Sequence, residues 1–373
     1  MNMLGYAKQN ANKDFIEQPF NDVDALILAE LAYVNFDLAV GSLDFVAFKD
    51  VVVQDTKAFY YGSVDYVYNE KLFNVLKASK RYQDVKVGFC RLSKDESNYK
   101  QFFALTFVLP NRIAYIAFRG TDVTINGWKE DLLMAYRDEI PGQKDALNYV
   151  KDVTKLFAGK FYLGGHSKGG NLALYSAFHM GARLEQRLIQ AYSFDGPGFR
   201  TDVRELPSYQ RIHERIVKYL TSNDMVGVIY NDIPDPKVIY SSGILLGGHA
   251  PFRWMISSFK KDFIYTKDRI IFSRLNEKAL MNWLTDMSDE DKKMAVDVIG
   301  DLLSDCDTVY DLLLKGARII MNGKKTIENY TPDQREKAKQ IFKELGKYYL
   351  AAYSPKQYLF NKKNQNLDDA EKE

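Results

Sequence analysis

The sequence predicts an α/β protein, in which a mostly parallel sheet is flanked by helices and followed by a helical C-terminal region. Between about residue 100 and residue 250, strand-like segments alternate with segments of helical spacing. Beyond residue 275, helical patterns follow one another. In the middle, KFYLGGHSKGGNLALY, residues 160–175, passes from an apolar run through four glycines into a helical pattern. This junction is typical of a strand, a tight turn and a helix.

The first half of the chain begins with helices and continues with strands. Residues 21–36 predict a helix, because Asn21 is a suitable N-cap and apolar residues recur on one face. Residues 64–78 predict a second helix. Residues 101–118 contain two β-rich runs joined at Pro110-Asn111-Arg112, which predicts a hairpin. Residues 145–157 return to helical spacing.

The second half adds buried strands and then helices. Residues 190–196 and 215–224 are apolar runs that end in polar residues, as expected for parallel strands with functional loops at their carboxyl ends. Residues 237–240 suggest one more short strand. Ser288 caps a later helix, and Thr331-Pro332 begins another.

These patterns predict four regions. They are an N-terminal helical segment packing on the core (1–45), an α/β core (46–260), a mainly helical region (261–360) and a disordered polar tail (361–373).

Composition excludes several classes of function. Lys and Arg total 51 against 49 Asp and Glu, so the net charge of +2 gives no electrostatic footprint for nucleic acid. No apolar run reaches the roughly 18 residues of a membrane span, and the N-terminus lacks the apolar core of a secretion signal. Cys90 and Cys306 are far apart and have no metal-like spacing. We therefore expect a cytoplasmic protein without a disulfide framework, metal or other cofactor.

The four glycines surround a candidate nucleophile. Gly165-His166-Ser167-Lys168-Gly169 has the form G-x-S-x-G of a nucleophile elbow. Glycine at Gly165 and Gly169 avoids collisions where the strand turns sharply into the helix. The alternative, a glycine-rich phosphate-binding turn, lacks the G-x-x-x-x-G-K-[ST] or G-x-G-x-x-G spacing.

A serine nucleophile needs a base, and the base needs an orienting acid. The chain order serine, acid, histidine leaves His249 as the base among the four histidines. Two acids compete, since Asp195 and Asp224 each end a predicted strand. Asp224 is favoured, because the acid normally follows a strand beyond the neighbour of the elbow. Asp195 is the alternative acid, although Asp-Gly-Pro-Gly is also typical of an ordinary turn.

Three motifs resemble the class 3 lipases of the α/β-hydrolase superfamily. They are FRGTDVTINGWKEDL (118–132), GGHSKGG (164–170) and SNDMV (222–226). Together with NDVDALILAELAYVNF (21–36) and SFDGPGF (193–199), they resemble more specifically the bacterial Mbeg1-like proteins, a lipase-like family of unknown function. The resemblance covers residues 20 to about 260.

The resemblance implies roles for single residues. Ser167 is the nucleophile, Asp224 the acid and His249 the base. The backbone N–H groups of Thr121 and Lys168 form the oxyanion hole. Trp128 and Asp131 are structural members of the oxyanion loop.

The implied activity is that of a serine esterase on small-molecule carboxylic esters or thioesters, through an acyl-enzyme and without a cofactor. The alternatives are an acyltransferase on the same triad and a catalytically silent lipase-like binding protein. Lys168 departs from the lipase pattern, which is usually apolar there, and we expect its charge at the mouth of the site. The charged segment after Thr121 argues against action on fat droplets and for soluble esters.

Overall fold

The computed structural model describes residues 1–354 except 42, 62–64, 96, 98, 123–124, 231–232, 244 and 304–329. Contacts divide the chain into two compact units, Met1–Lys267 and Asp268–Glu373. The predicted disordered tail, 361–373, lies outside the described residues.

One mixed sheet organises the first unit. Its strands within the described residues are β1 Phe45–Ala47, β2 Lys86–Asp95, β3 Lys100–Val108, β4 Ala114–Phe118, β5 Phe161–His166, β6 Leu188–Phe194, β7 Ile216–Thr221 and β8 Lys237–Ile239. They lie side by side in chain order. β1 to β4 pair antiparallel, whereas β4 to β8 pair parallel. Because parallel neighbours need crossover connections, helices cover the sheet, and the predicted α/β class is confirmed.

The helices of the first unit are α1 Met3–Gln9, α2 Asp22–Leu31, α3 Thr56–Tyr60, α4 Tyr66–Ala78, α5 Ile125–Leu133, α6 Pro141–Leu156, α7 Lys168–His179, α8 Ala182–Glu185 and α9 Pro207–Ile212. Asn21 caps α2, with Asp24 completing a capping box, as the N-terminal pattern predicts. The helix ends at Leu31 rather than Phe36, and the carbonyls of Ala32 and Val34 accept hydrogen bonds from Arg119.

The predicted hairpin joins β3 to β4. Leu109 N–H donates to the Ile113 carbonyl at 2.9 Å, and Arg112 in the turn has a φ of 60°. The strand period of two divides β3 between two cores. Phe103 and Leu105 pack with the N-terminal helices, whereas Phe102 and Ala104 pack with α6 and α7 on the opposite face.

The second unit contains α10 Ile271–Asp286, α11 Asp289–Leu302 and α12 Pro332–Ala352. Ser288 and Thr331 are the N-caps of the last two, as predicted. Trp283 Nε1–H on α10 donates to the Ile341 carbonyl on α12 at 3.2 Å. Among the described residues, no helix is long and apolar enough to cross a bilayer.

Candidate functional site

Ser167 occupies the turn between β5 and α7. Its φ of 58° and ψ of −132° lie where a residue with a side chain is strained, at a cost on the order of 1–3 kcal/mol. The Ser167 N–H donates to the Phe194 carbonyl of β6 at 2.9 Å, which ties the turn to the neighbouring strand. Such strain, held by surrounding structure, is a feature of functional sites.

The two glycines beside Ser167 are sterically required. A methyl group on Gly165 would lie 2.3 Å from the carbonyl carbon of Gly169. A methyl group on Gly169 would lie 2.1 Å from the Phe118 carbonyl oxygen of β4. Strand and helix therefore approach too closely for any side chain at either position.

The segment after β4 lies against the nucleophile. A methyl group on Gly120 would be 3.2 Å from Ser167 Cβ, so the loop carrying Thr121 passes beside Ser167. Lys168 is the first residue of α7, where helical N–H groups have no partner within the helix and the dipole is positive. The backbone of both predicted oxyanion residues thus borders the serine.

The side chain of Thr121 is oriented by Asp131 of α5. Its hydroxyl donates to Asp131 Oδ2. Burial raises the pKa of Asp131 to about 6, although Lys168 and the Thr121 hydrogen bond act to lower it. Trp128, the other predicted structural member, lies half-buried on the same helix.

The expectation that the charge of Lys168 stands at the mouth of the site is wrong. The residue is 1% exposed, and its Nζ donates to Glu130 Oε2 at 2.7 Å and to the Gln101 carbonyl at 3.1 Å. Asp131 Oδ1 lies 3.8 Å away. Burial acts to lower the pKa of Lys168, but the charges of Glu130 and Asp131 outweigh it, so that the pKa lies above its ordinary value. The ammonium thus joins α7 to α5 inside the protein.

His249 lies on the loop after β8, with a side chain 17% exposed. Its Nδ1 is 2.6 Å from Asp195 Oδ2. Burial lowers the pKa of His249 to about 4, opposed by the charges of Asp224 and Asp131. At neutral pH the imidazole is uncharged, so Nδ1 donates to the carboxylate and Nε2 is free of its proton. That is the tautomer of a general base.

The sequence favours Asp224 as the acid, whereas the structure places the hydrogen bond of His249 Nδ1 on Asp195, the alternative. Asp195 directly follows β6, the strand beside the elbow, and has a φ of 55°. Its N–H donates to the Tyr219 carbonyl of β7 at 2.9 Å. This left-handed residue, for which the sequence left open an acid or an ordinary turn, brings its carboxylate to the imidazole.

Asp224 lies beside this contact. Its Oδ1 accepts from the N–H groups of Val226 and Gly227, both at 2.8 Å. A methyl group on Gly227 would lie 2.7 Å from Asp195 Oδ1 and 2.8 Å from Asp224 Oδ2. Both aspartates have no exposed surface. The site therefore contains two carboxylates that converge over one glycine.

Sequence reasoning missed three polar residues that hold the site together. Glu130 of α5 accepts from Lys168. Asn171 of α7 donates to the carbonyls of Pro197 and Gly198, at 3.2 and 2.9 Å, and fixes the turn after Asp195. Arg119, in the F-R-G-T motif, donates to the carbonyls of residues 32 and 34. For Arg119, the one sequence signal was its position as a charged residue inside the F-R-G-T motif. Among the described residues, no group of three or more His, Cys, Asp or Glu side chains is arranged to hold a metal.

Comparisons with known proteins identify the family of the chain. No curated protein matches the chain. A solved structure described as M37 lipase is 16% identical, with a TM-score of 0.40, over 57% of this chain and 71% of that one. The Rhizomucor miehei lipase propeptide complex is 14% identical, with a TM-score of 0.37, over 64% of this chain and 67% of that one. The sequence model of the Mbeg1-like family matches residues 76–301, which is more than half of the chain. The protein belongs to the Mbeg1-like family.

Proposed function

We propose that the protein is a serine hydrolase that cleaves carboxylic esters or thioesters, with Ser167 as nucleophile, His249 as general base and Asp195 as orienting acid. The observation that carries the proposal is the 2.6 Å hydrogen bond from His249 Nδ1 to the buried Asp195, with the His249 ring against His166, the residue before a strained serine at a helix N-terminus. An imidazole oriented by a carboxylate near a strained serine is the arrangement that activates a hydroxyl.

In the acylation step, Ser167 Oγ attacks the acyl carbon while His249 Nε2 takes the hydroxyl proton. The carbonyl oxygen becomes an oxyanion, which accepts hydrogen bonds from the backbone N–H groups of Lys168 and Thr121. Each such donor lowers the barrier by about 3 kcal/mol. His249 then protonates the leaving alcohol or thiol, the C–O or C–S bond breaks, and the acyl group remains on Ser167.

In the deacylation step, a water molecule attacks the acyl-enzyme. His249 takes a proton from the water, and a second oxyanion forms at the same carbonyl oxygen. The ester bond to Ser167 breaks, His249 returns the proton to Oγ, and the carboxylic acid leaves. Asp195 stabilises the imidazolium in both steps without itself taking the proton.

The buried thiol of Cys90 is compatible with the predicted cytoplasmic location, since free cysteines persist in reducing compartments.

Covalent labelling tests the proposal. A fluorophosphonate should form one adduct, on the peptide that contains Ser167, and Ser167→Ala should abolish it. Ser242→Ala is the matched control, because Ser242 is exposed on the loop that leads to His249, and this variant should label like the wild type. Equal labelling of Ser167→Ala would contradict the assignment, and absence of labelling in the folded wild type would favour a silent binding protein.

Product analysis separates the two enzymatic alternatives. Incubation of an ester with and without an added alcohol should give the free acid in both cases. Transfer of the acyl group to the alcohol as the main reaction would instead identify an acyltransferase.

A further inference from the structure

Tyr33, just after α2, connects the N-terminal segment to the candidate site. Its side chain is 6% exposed, and its hydroxyl oxygen lies 3.2 Å from His166 Nδ1. A methyl group on Gly120 would lie 2.1 Å from the same oxygen. The Tyr33 hydroxyl therefore lies between the residue before Ser167 and the loop that carries Thr121.

His166 continues this connection to the proposed base. It is 5% exposed, and its Nε2 lies 2.9 Å from the backbone carbonyl oxygen of His249. The two imidazole rings are close, with centroids 4.4 Å apart and planes inclined by 35°. His166 thus contacts both the main chain and the ring of His249.

The direction of each hydrogen bond follows from the groups involved. A carbonyl oxygen only accepts, so His166 Nε2 carries a proton and donates it to His249. Burial and the neighbouring His249 hold the pKa of His166 well below its usual range, so the ring is neutral. Its Nδ1 is then an acceptor, and the Tyr33 hydroxyl donates to it at 3.2 Å rather than to the more distant His166 carbonyl oxygen at 3.5 Å. Burial and the charge of Glu30 raise the pKa of Tyr33 well above its ordinary value, which keeps that proton in place.

We propose that Tyr33 and His166 are positioning residues for the base: the His249 carbonyl requires the Nε2–H tautomer of His166, and the Tyr33 hydroxyl, by donating to Nδ1, holds the ring where Nε2–H supports the main chain of His249. This inference rests on the proposed function, because it assigns the hydrogen-bond chain a purpose in proton transfer from Ser167. Asp195 fixes the His249 ring from one side, and His166 fixes its backbone from the other. Tyr33 lies upstream of residues 76–301, the part that matches the family.

The loop that carries His249 has an additional support, so that the folding of the loop can be separated from the placement of the imidazole. Trp254 Nε1–H donates to the Gly248 carbonyl at 3.1 Å, and Trp254 is fully buried. Loss of the bond from His166 should therefore leave the loop folded while the imidazole becomes less well placed. Small displacements of a catalytic group act on the rate of the chemical step rather than on substrate binding.

The first experiment compares two tyrosine variants. Tyr33→Phe removes the hydroxyl that orients His166. Tyr115→Phe is the matched control, because Tyr115 is also buried and also has a hydrogen-bonded hydroxyl. That hydroxyl donates to the Ala25 carbonyl of α2 at 2.8 Å, away from His166. With a p-nitrophenyl ester, Tyr33→Phe should lower kcat about tenfold with little change in KM, whereas Tyr115→Phe should keep the wild-type kcat. Equal losses of kcat in both variants would overturn the inference.

The second experiment changes the donor itself. His166→Phe keeps an aromatic ring but donates no hydrogen bond, and it should lower kcat by about a hundredfold. His166→Gln places an amide N–H near the position of Nε2–H and should recover most of that loss. A His166→Phe enzyme with the kcat of the wild type would overturn the inference.

The third measurement needs no substrate. Nitrogen-15 chemical shifts of the histidine rings should show His166 in the Nε2–H tautomer, and its Nδ1 resonance should move in Tyr33→Phe towards the shift of a ring nitrogen that accepts no hydrogen bond. An unchanged Nδ1 chemical shift in Tyr33→Phe would refute the role of the hydroxyl. If the folded wild type neither labels with fluorophosphonate nor cleaves esters, the proposed function fails, and these shifts still decide whether Tyr33 controls His166.

Discussion

Replacement of Lys168 by methionine tests the buried ion pair behind the nucleophile. Lys168 and Glu130 both have side chains without exposed surface, and their charged atoms lie 2.7 Å apart. Methionine fills a similar volume and keeps the backbone N–H that we assign to the oxyanion hole. It removes the charge that compensates Glu130.

The magnitude follows from what Glu130 retains. Breaking a buried ion pair by removing one partner costs about 3–5 kcal/mol. Glu130 keeps hydrogen bonds from the backbone N–H groups of Gln101 and Gly142, at 3.1 and 3.0 Å, so we expect a loss near the lower end of that range. For a domain of this size, about 3 kcal/mol corresponds to a decrease in Tm of roughly 6–12 °C.

The assay is thermal unfolding with three matched variants. Lys151→Met, on the exposed face of α6, should have the Tm of the wild type. The double variant Lys168→Met/Glu130→Gln should recover most of the lost stability, since a neutral pair replaces an uncompensated charge. The ranking of anionic and neutral esters should not change in Lys168→Met. A Tm equal to that of Lys151→Met, or a selective loss of activity on anionic esters, would refute the burial of this charge.

Three further predictions concern the acids, the base and the substrate. Asp195→Asn should lower kcat by about ten-thousandfold, because His249 loses the partner that controls its tautomer. Asp224→Asn should lower kcat by only about tenfold, because it removes a nearby charge. The measurement is kcat per folded molecule, and the reverse order would return the orienting role to Asp224. Because burial lowers the pKa of His249 to about 4 and the neutral ring is the base, kcat/KM should persist below pH 6.5 and decline towards pH 4; a pH profile with its acid limb above 6.5 would contradict this assignment. The large apolar side chains of residues 127–140 are buried or half-buried, while Arg137, Asp138 and Glu139 are exposed. Soluble esters should therefore be preferred over emulsified triacylglycerol. A jump in rate at the solubility limit of the ester would identify an interfacial lipase instead.

The sheet could be predicted from the sequence because its signals are local. Alternation along 102–107 divides large apolar residues between two faces, and a proline and two polar residues then mark the turn. The elbow is local as well, since its glycines are required by atoms within the same strand, turn and helix and the adjacent β4. The end of α2 was predicted five residues too late. The carbonyls of Ala32 and Val34 accept from Arg119, which is more than eighty residues away in sequence, and no local pattern reveals that partner.

The choice between the two acids could not be made from the sequence alone. Asp195 and Asp224 each follow an apolar strand, and each strand is parallel to its neighbour. Their difference depends on backbone conformation, since the left-handed φ of Asp195 turns its carboxylate to His249. An aspartate tolerates that conformation better than most residues, but the sequence Asp-Gly-Pro-Gly is equally typical of an ordinary turn.

Lys168 shows why a residue beside a nucleophile need not face the substrate. Ser167 lies in a strained turn, and the next residue is already the first of a helix. The direction of its Cα–Cβ bond is therefore determined by the helix and not by the position of the active-site opening. The side chain then reaches Glu130, which is 38 residues earlier and belongs to the segment that also orients Thr121 through Asp131. In our proposal, the backbone N–H of this residue serves the oxyanion hole, while its side chain forms an internal ion pair. Because these two contributions come from different atoms, substitutions that keep the N–H can measure the ion pair separately.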